Sequence, residues 1–329
     1  MKKIYTLIAI FAAMSAANAQ ATLPVYEPFD YPTGAYLHHQ TGYVGFNSGD
    51  SIAIVSGSLQ YPDLPASIGN KINFAGAGME TKYDIETVNS DTIYYSFLIT
   101  INDISGVTDS NGGYFAGFGA SNTLLGNSLW TKQVNDTVFK FGAEVRTSAT
   151  GVTWSDDDYN IGETYLVVGS YTFVNGTQND VSQLWINPDL GLPTEPTATI
   201  TDQWSASNDL SSISHFFFRR DSATETPDVD IDELRIGTSW TDVTPTIPAS
   251  LKKNEIQGLS LFPNPATEML YITSNTDSQK DVQLFDMTGK KVLNVTTTSQ
   301  INIAHLRAGI YIAKITENGK TATRKIIIK

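Results

Sequence analysis

Phe139-Lys140-Phe141-Gly142-Ala143-Glu144-Val145-Arg146 is the stretch on which the fold turns, with apolar side chains at the odd positions and mostly charged ones at the even positions. A period of two places Phe139, Phe141, Ala143 and Val145 on one face of an extended chain and leaves the other face to water, so the segment reads as a half-buried β-strand. Working outward, apolar runs of strand length recur at 93–101, 114–119, 165–174, 181–186, 213–218 and 229–236. Turn signals such as Asn111-Gly112-Gly113 and Asn175-Gly176 separate them, and no helical stretch is of comparable strength. A sheet with one apolar face must bury it against another layer. The expectation is therefore an all-β sandwich or barrel, and roughly 225 residues are ample for a jelly roll.

The chain has 329 residues, 41% hydrophobic and 11% aromatic, which is enough apolar matter for packed cores and excludes a disordered chain. At roughly 100 to 200 residues per domain, that length suggests two domains. With no Cys, there is no disulfide, thiolate metal site, iron–sulfur cluster or cysteine nucleophile. Met1-Lys2-Lys3, the apolar run 4–13 and Ala17-Asn18-Ala19 have the three zones of a secretory signal over 1–19, with cleavage expected after Ala19. A membrane anchor is the alternative, but the run is short of the roughly 20 apolar residues that cross a bilayer, and no later stretch reaches that length. The mature chain is thus expected to carry no transmembrane segment.

Charge is unevenly divided. Residues 21–250 hold 8 Lys and Arg against 28 Asp and Glu, a net of −20, while 251–329 hold 11 against 6, a net of +5. So acidic a payload lacks the clustered Lys and Arg that phosphate backbones demand, and nucleic acid is not an expected partner. The switch of sign falls at Val243-Thr244-Pro245-Thr246-Ile247-Pro248, where two prolines favour an extended linker. The expected organisation is a signal over 1–19, a main domain over 20–243, a linker over 244–255 and a tail domain over 256–329.

Tyr26-Glu27-Pro28-Phe29-Asp30-Tyr31-Pro32, Gly57-Ser58-Leu59-Gln60-Tyr61-Pro62, Tyr94-Tyr95-Ser96-Phe97 and Ile231-Asp232-Glu233-Leu234-Arg235-Ile236-Gly237-Thr238-Ser239-Trp240 resemble exported bacterial domains of the concanavalin A-like, laminin-G-like jelly-roll class. The resemblance implies a fold whose members bind glycans, cleave them or serve in adhesion. Three readings of Asp228-Val229-Asp230-Ile231-Asp232-Glu233 stand open. It is similar to the acidic strand of retaining jelly-roll glucanases, whose mechanism needs two carboxyl groups about 5 to 5.5 Å apart, but Asp228 and Asp232 have Cα atoms about 13 Å apart on a strand. Asp228, Asp230 and Asp232, with Asp30, could instead hold a structural calcium ion through hard oxygen ligands. The simplest reading is a solvated edge strand whose charges discourage pairing.

Trp154-Ser155-Asp156-Asp157-Asp158-Tyr159 joins two aromatics to three acids in an expected loop, the best lectin-like patch in the sequence; Trp154, Asp156, Asp157, Asp158 and Tyr159 are its candidate glycan contacts. Trp130, Trp185, Trp204 and Trp240 read as packing. No His-Glu-x-x-His pair, Gly-x-Ser-x-Gly elbow or phosphate-cradling glycine loop occurs, so no catalytic residue is assigned. The triplets around Ser51, Thr92, Thr137 and Ser222 resemble the Asp-Ser/Thr-apolar acceptors of a Gram-negative O-glycosylation system.

The tail changes to a compact basic β-pattern: Leu261-Phe262-Pro263-Asn264-Pro265-Ala266, Leu270-Tyr271-Ile272, Leu284-Phe285-Asp286-Met287-Thr288-Gly289-Lys290 and Gly309-Ile310-Tyr311. Pro263, Asn264 and Pro265, the Asp286, Gly289 and Lys290 hairpin, Gly309 and Tyr311, and a basic last strand occur in order, and together resemble the type A C-terminal sorting domain of the type IX secretion system. That resemblance implies a small Ig-like sandwich, passage through Sec and then the type IX translocon, removal by a sortase-like peptidase, and a secreted or outer-membrane-attached product. A generic adhesive β-domain is the alternative.

Overall fold

The computed structural model describes residues 20–147, 151–203, 208–247 and 256–329. The expected signal segment, Trp204 and residues 248–255 of the expected linker lie outside the described residues. The chain divides into two compact units, Met1–Thr246 and Ile247–Lys329.

The first unit holds, in chain order, β1 (Val25–Glu27), β2 (Tyr43–Phe46), β3 (Ala53–Val55), β4 (Lys71–Phe74), β5 (Glu80–Val88), β6 (Asp91–Asp103), β7 (Gly113–Ser121) and β8 (Leu124–Asn135). It continues with β9 (Val138–Arg146), β10 (Thr153–Trp154), β11 (Tyr159–Asn160), β12 (Thr164–Phe173), β13 (Val181–Ile186), β14 (Ile200–Gln203), β15 (Ile213–Phe218), β16 (Asp228–Gly237) and a one-turn helix, α1 (Trp240–Val243). Two antiparallel sheets form. One runs β14-β13-β12-β6-β16-β4-β3 with β1 beside β16; the other runs β10-β9-β8-β7-β15-β5-β2 with β11 beside β9. Between them lies a core that includes Tyr95, Phe97, Ile99 and Ile231 from the first sheet and Phe118, Phe139, Phe141 and Phe216 from the second.

The two sheets differ on their outward faces, and the sequence of each shows why. In β6 every residue from Ile93 to Ile101 is buried. Tyr95, Phe97 and Ile99 enter the main core, while Tyr94 and Leu98 join Leu166, Val168, Trp185 and Trp240 under Leu59 and Leu64 in a second apolar cluster. A strand covered on both faces has no reason to alternate, so its run is nearly continuous. β9 does alternate: Phe139, Phe141, Ala143 and Val145 point into the core, and the intervening positions take the opposite face. The first sheet is thus covered outside by a second apolar cluster, whereas the outward face of the second sheet keeps half-buried side chains such as Tyr114, Trp130, Lys132 and Lys140.

The edge-strand reading of 228–233 is overturned. β16 lies inside its sheet, hydrogen-bonded to β6 on one side and to β4 and β1 on the other. A bulge between Asp232 and Arg235, with Glu233 at φ 58°, turns its acids toward the segment that covers the sheet. Asp232 accepts from the Leu59 and Glu233 amides at 2.8 Å each, and Glu233 accepts from the Tyr26 hydroxyl at 2.9 Å and from Arg235 at 2.6 Å. These acids fasten a strap rather than repel a neighbour.

The second unit contains β17 (Ser260–Phe262), β18 (Met269–Thr273), β19 (Lys280–Phe285), β20 (Lys291–Thr297), β21 (Gln300–Asn302), β22 (Gly309–Glu317) and β23 (Lys320–Ile328). Sheets β17-β18-β21 and β20-β19-β22-β23 close on a core that includes Leu270, Ile272, Val282, Leu284, Ile315 and Ile326.

Candidate functional site

Pairing register builds the site. Trp154 of β10 lies opposite Gly142 of β9, Gly142 lies opposite Trp130 of β8, and Trp130 lies opposite Tyr114 of β7. Directly paired residues project to the same face, so these side chains form one transverse row on the outward face of the open sheet. The Arg219 guanidinium, just past β15, sits 3.9 Å from the Tyr114 ring centroid and reaches Glu80 of β5 at 3.4 Å. Glu80 in turn pairs with Phe46 of β2. The row crosses six interstrand steps, about 29 Å at about 4.8 Å each.

Glycines make room for it. A Cβ on Gly142 would stand 2.7 Å from Trp154 Cε3, so the indole lies directly over that bare backbone. Gly112, at φ 72°, lets the Trp154 ring edge and the Lys132 stem approach, since a Cβ there would stand 2.9 Å from Trp154 Cη2 and 3.1 Å from Lys132 Cβ. Trp130 and Tyr114 pack with centroids 5.0 Å apart, and both remain half-buried rather than sealed.

Three adjoining recesses follow the row. One of about 360 Å³ involves Phe46, Glu80, Tyr114 and Arg219; one of about 320 Å³ involves Tyr114, Trp130, Asp109, Asp221 and Glu225; one of about 500 Å³ involves Asn111, Trp130, Lys132 and Trp154. Arg219 is surrounded by carboxylates, bridging to Asp221 and standing 3.5 Å from Glu225 as well as contacting Glu80. Burial pushes the Glu80 carboxyl above the usual carboxylate range, against the opposing pull of Arg219. Aromatic planes flanked by charged and amide groups suit a ligand with apolar faces and many hydroxyls.

The structure brings together some of the residues singled out by sequence and separates others. Trp154 is in the row. Tyr159 is not: β11 turns it toward the core, where its ring meets Phe141 at 4.9 Å and Tyr165 at 5.3 Å. Asp156, Asp157 and Asp158 are exposed on the turn between β10 and β11, which wraps Lys140. That ammonium donates to the Ser155 and Asp156 carbonyls and pairs with Asp158 at 3.0 Å. Trp185 and Trp240 are buried packing residues; Trp130 packs on Tyr114 as well, and its half-buried ring also lies in the row. Its signal was local: Leu129 and Thr131 are buried, with Trp130 and Lys132 as the alternate, outward pair.

Asp228 accepts from Asn73 at 2.8 Å and Asn102 at 3.2 Å, Asp230 pairs with Lys71 at 2.7 Å, and Asp30 is exposed in the turn after β1. Among the described residues, no three or more His, Asp or Glu side chains gather as a metal site. Of the acceptor triplets, Thr137 is exposed at the β8–β9 turn, whereas Ser51, Thr92 and Ser222 are half-buried and the Thr92 hydroxyl lies 2.9 Å from that of Thr172.

The tail residues have structural duties. Asn264 donates to the Lys325 carbonyl at 3.0 Å and accepts from the Ile327 amide at 2.9 Å, tying the Pro263-Asn264-Pro265 entry to β23. Asp286 accepts from the Thr288 and Lys290 amides, closing the hairpin around Gly289 at φ 82°. Gly309 opens β22, where Tyr311 donates to the Arg307 carbonyl at 2.7 Å.

Residues 260–329 match the family model of the secretion system C-terminal sorting domain. The tail is such a domain of the type IX secretion system, and the chain that bears it is exported, to the cell surface or beyond. None of the curated proteins matches this chain. Among solved structures it is similar to the binding domain of botulinum neurotoxin serotype G, at 7% identity and a TM-score of 0.35, covering 87% of this chain and 71% of that one. It is also similar to lectin II from Ulex europaeus, at 12% identity and a TM-score of 0.31, covering 65% and 97%. A heptameric pentraxin from Limulus polyphemus is similar at 14% identity and a TM-score of 0.32, covering 56% and 74%. No helix among the described residues is long and apolar enough to cross a membrane.

Proposed function

We propose that the first unit is a glycan-binding, adhesive module that lies along an extended stretch of polysaccharide, delivered to the cell surface by its sorting tail. The observation that carries this reading is the single row of Trp154, Trp130, Tyr114, Arg219, Glu80 and Phe46 across the open sheet. Sugar rings stack their apolar faces on aromatic planes while charged and amide groups take the hydroxyls. A row about 29 Å long suits several consecutive sugar units rather than one chain end. Residues 20–243 are then the payload, 244–255 the linker and 256–329 the part that the type IX translocon reads and a sortase-like peptidase removes.

Glycan-array screening followed by affinity electrophoresis tests the reading. Trp130→Ala and Trp154→Ala should each weaken binding about five- to tenfold while leaving the melting temperature close to that of the parent. Failure of the parent protein to retain any glycan would overturn it in favour of a purely structural surface component.

A second reading, cleavage of the bound chain, is favoured by Glu80, a buried carboxyl held above its usual range beside Asp221 in the same groove. Release of new reducing ends by the parent and its loss in Glu80→Gln would support that reading; no release from a polymer that the parent binds would remove it.

A further inference from the structure

We infer that the Trp154 end of the row takes an acidic sugar, a hexuronate whose carboxylate meets the Lys132 ammonium. This deepens the glycan-binding reading above and rests on it. The recess of about 500 Å³ there is lined by Ser110, Asn111, Trp130, Lys132 and Trp154, together with Gly151 and Val152, so among the described residues its single charged side chain is a cation. The other recesses of the row contain carboxylates.

Lys132 differs from Arg219, Lys82 and Lys140 on this face, and from Arg146, which donates to the Asn208 carbonyl. Arg219 is shared among Glu80, Asp221 and Glu225, Lys82 lies 3.5 Å from Asp84, and Lys140 pairs with Asp158. Lys132 makes no ion pair with any described residue; its Nζ lies 4.7 Å from the Trp154 ring centroid. Lys132 and Lys140 are also direct register partners on β8 and β9. Like charges placed opposite each other repel, and the turn between β10 and β11 neutralises only the second of them. An anion beside Trp154 would complete the balance, held by a charge-assisted hydrogen bond while its ring stacks on the indole.

The net −20 of this region does not forbid such a ligand. Exposed charges beyond about 8 Å are largely screened at physiological ionic strength, so the groups lining the recess decide. A single ammonium supplies one positive charge, enough for the one carboxylate of a hexuronate unit, and a guanidinium in its place could pair with the same group.

The test uses the full chain and six polymers: polygalacturonate, alginate, the carboxyl-reduced form of each, and dextran sulfate against dextran as a control for sulfate esters. Affinity electrophoresis should show the carboxylated polymers bound more tightly than their reduced forms, with the preference shrinking as salt rises. Lys132→Ala should weaken the carboxylated polymers about tenfold and the reduced ones by less than about twofold, and Lys132→Arg should restore most of the loss. Equal binding of carboxylated and reduced polymers, or equal losses on both in Lys132→Ala, would overturn the acidic-sugar assignment and leave the groove reading standing. A preference for dextran sulfate with none for carboxylates would also overturn it. Binding to none of these polymers, nor to any glycan of the array, would remove both readings together.

Discussion

Gly142 has no side chain, and that is its contribution: Trp154 and Trp130, its register partners on the two neighbouring strands, flank its bare backbone. Gly142→Ala places a methyl 2.7 Å from the Trp154 ring and must lift the indole. Glycan retention should fall about as far as in Trp154→Ala, roughly five- to tenfold, with a change in the near-ultraviolet circular dichroism of the aromatic groups. Retention equal to that of the parent would show that the indole does not need its seat.

Asp232 is a second residue with a measurable consequence. Burial pushes its carboxyl from 3.8 up to about 8, despite the two backbone amides that favour the ionised form. Since the folded chain holds this proton more tightly than the unfolded chain, the stabilising contribution is complete below about 3.8 and is lost as pH climbs to about 8. The melting temperature of the first unit should therefore decline between pH 5 and pH 8 in the parent. The decline should be shallower in Asp232→Asn, which cannot ionise and keeps one of the two oxygens that accept from the Leu59 and Glu233 amides. Parallel curves would assign the decline to other groups.

At the scale of the element, the alternation in 139–146 was enough to identify β9 and its core-facing side, because the pleat is a local property, but its other face is not simply wet: Gly142 and Glu144 are buried there. Runs at 181–186 and 213–218 coincide with β13 and β15 for the same reason. What local sequence does not contain is which strand lies beside which. Trp154, Trp130, Tyr114 and Phe46 are far apart in the chain and become neighbours through register alone, so only Trp154, already conspicuous among acids, was legible. The acids of β16 were misplaced at an edge because a buried bulge that clasps a covering strap looks, in one dimension, like a solvated acidic strand.

The sorting unit has an element-scale test of its own. Lys280 of β19 and Glu317 of β22 are register partners, and their buried side chains meet at 3.0 Å. Burial opposes ionisation of Glu317, but Ser278, Thr276, Lys280 and Ser274 all donate to it and hold it down at about 2. Glu317→Gln would leave the ammonium buried without its counter-charge, at an expected loss of about 3–5 kcal/mol. Urea unfolding of the full chain, followed through the tail's transition, measures it; a loss below about 1 kcal/mol would mean that the carbonyls of Thr276, Ser278 and Thr298 suffice for Lys280.

For the molecule as a whole, the division of charge seen in the sequence coincides with a division of labour, an acidic payload with an open aromatic face and a basic sorting unit. Deleting 259–329 should leave the payload in the periplasm with its glycan affinity intact, as fractionation and affinity electrophoresis would show; undiminished surface display after the deletion would refute the role of the tail in export.

The clasp between Asn264 and the backbone at Lys325 and Ile327 joins the beginning of the sorting unit to its last strand. A ribosome that stalls anywhere before β23 therefore releases a polypeptide whose tail cannot close. Truncated copies should then be held back at the same step as copies with no tail at all.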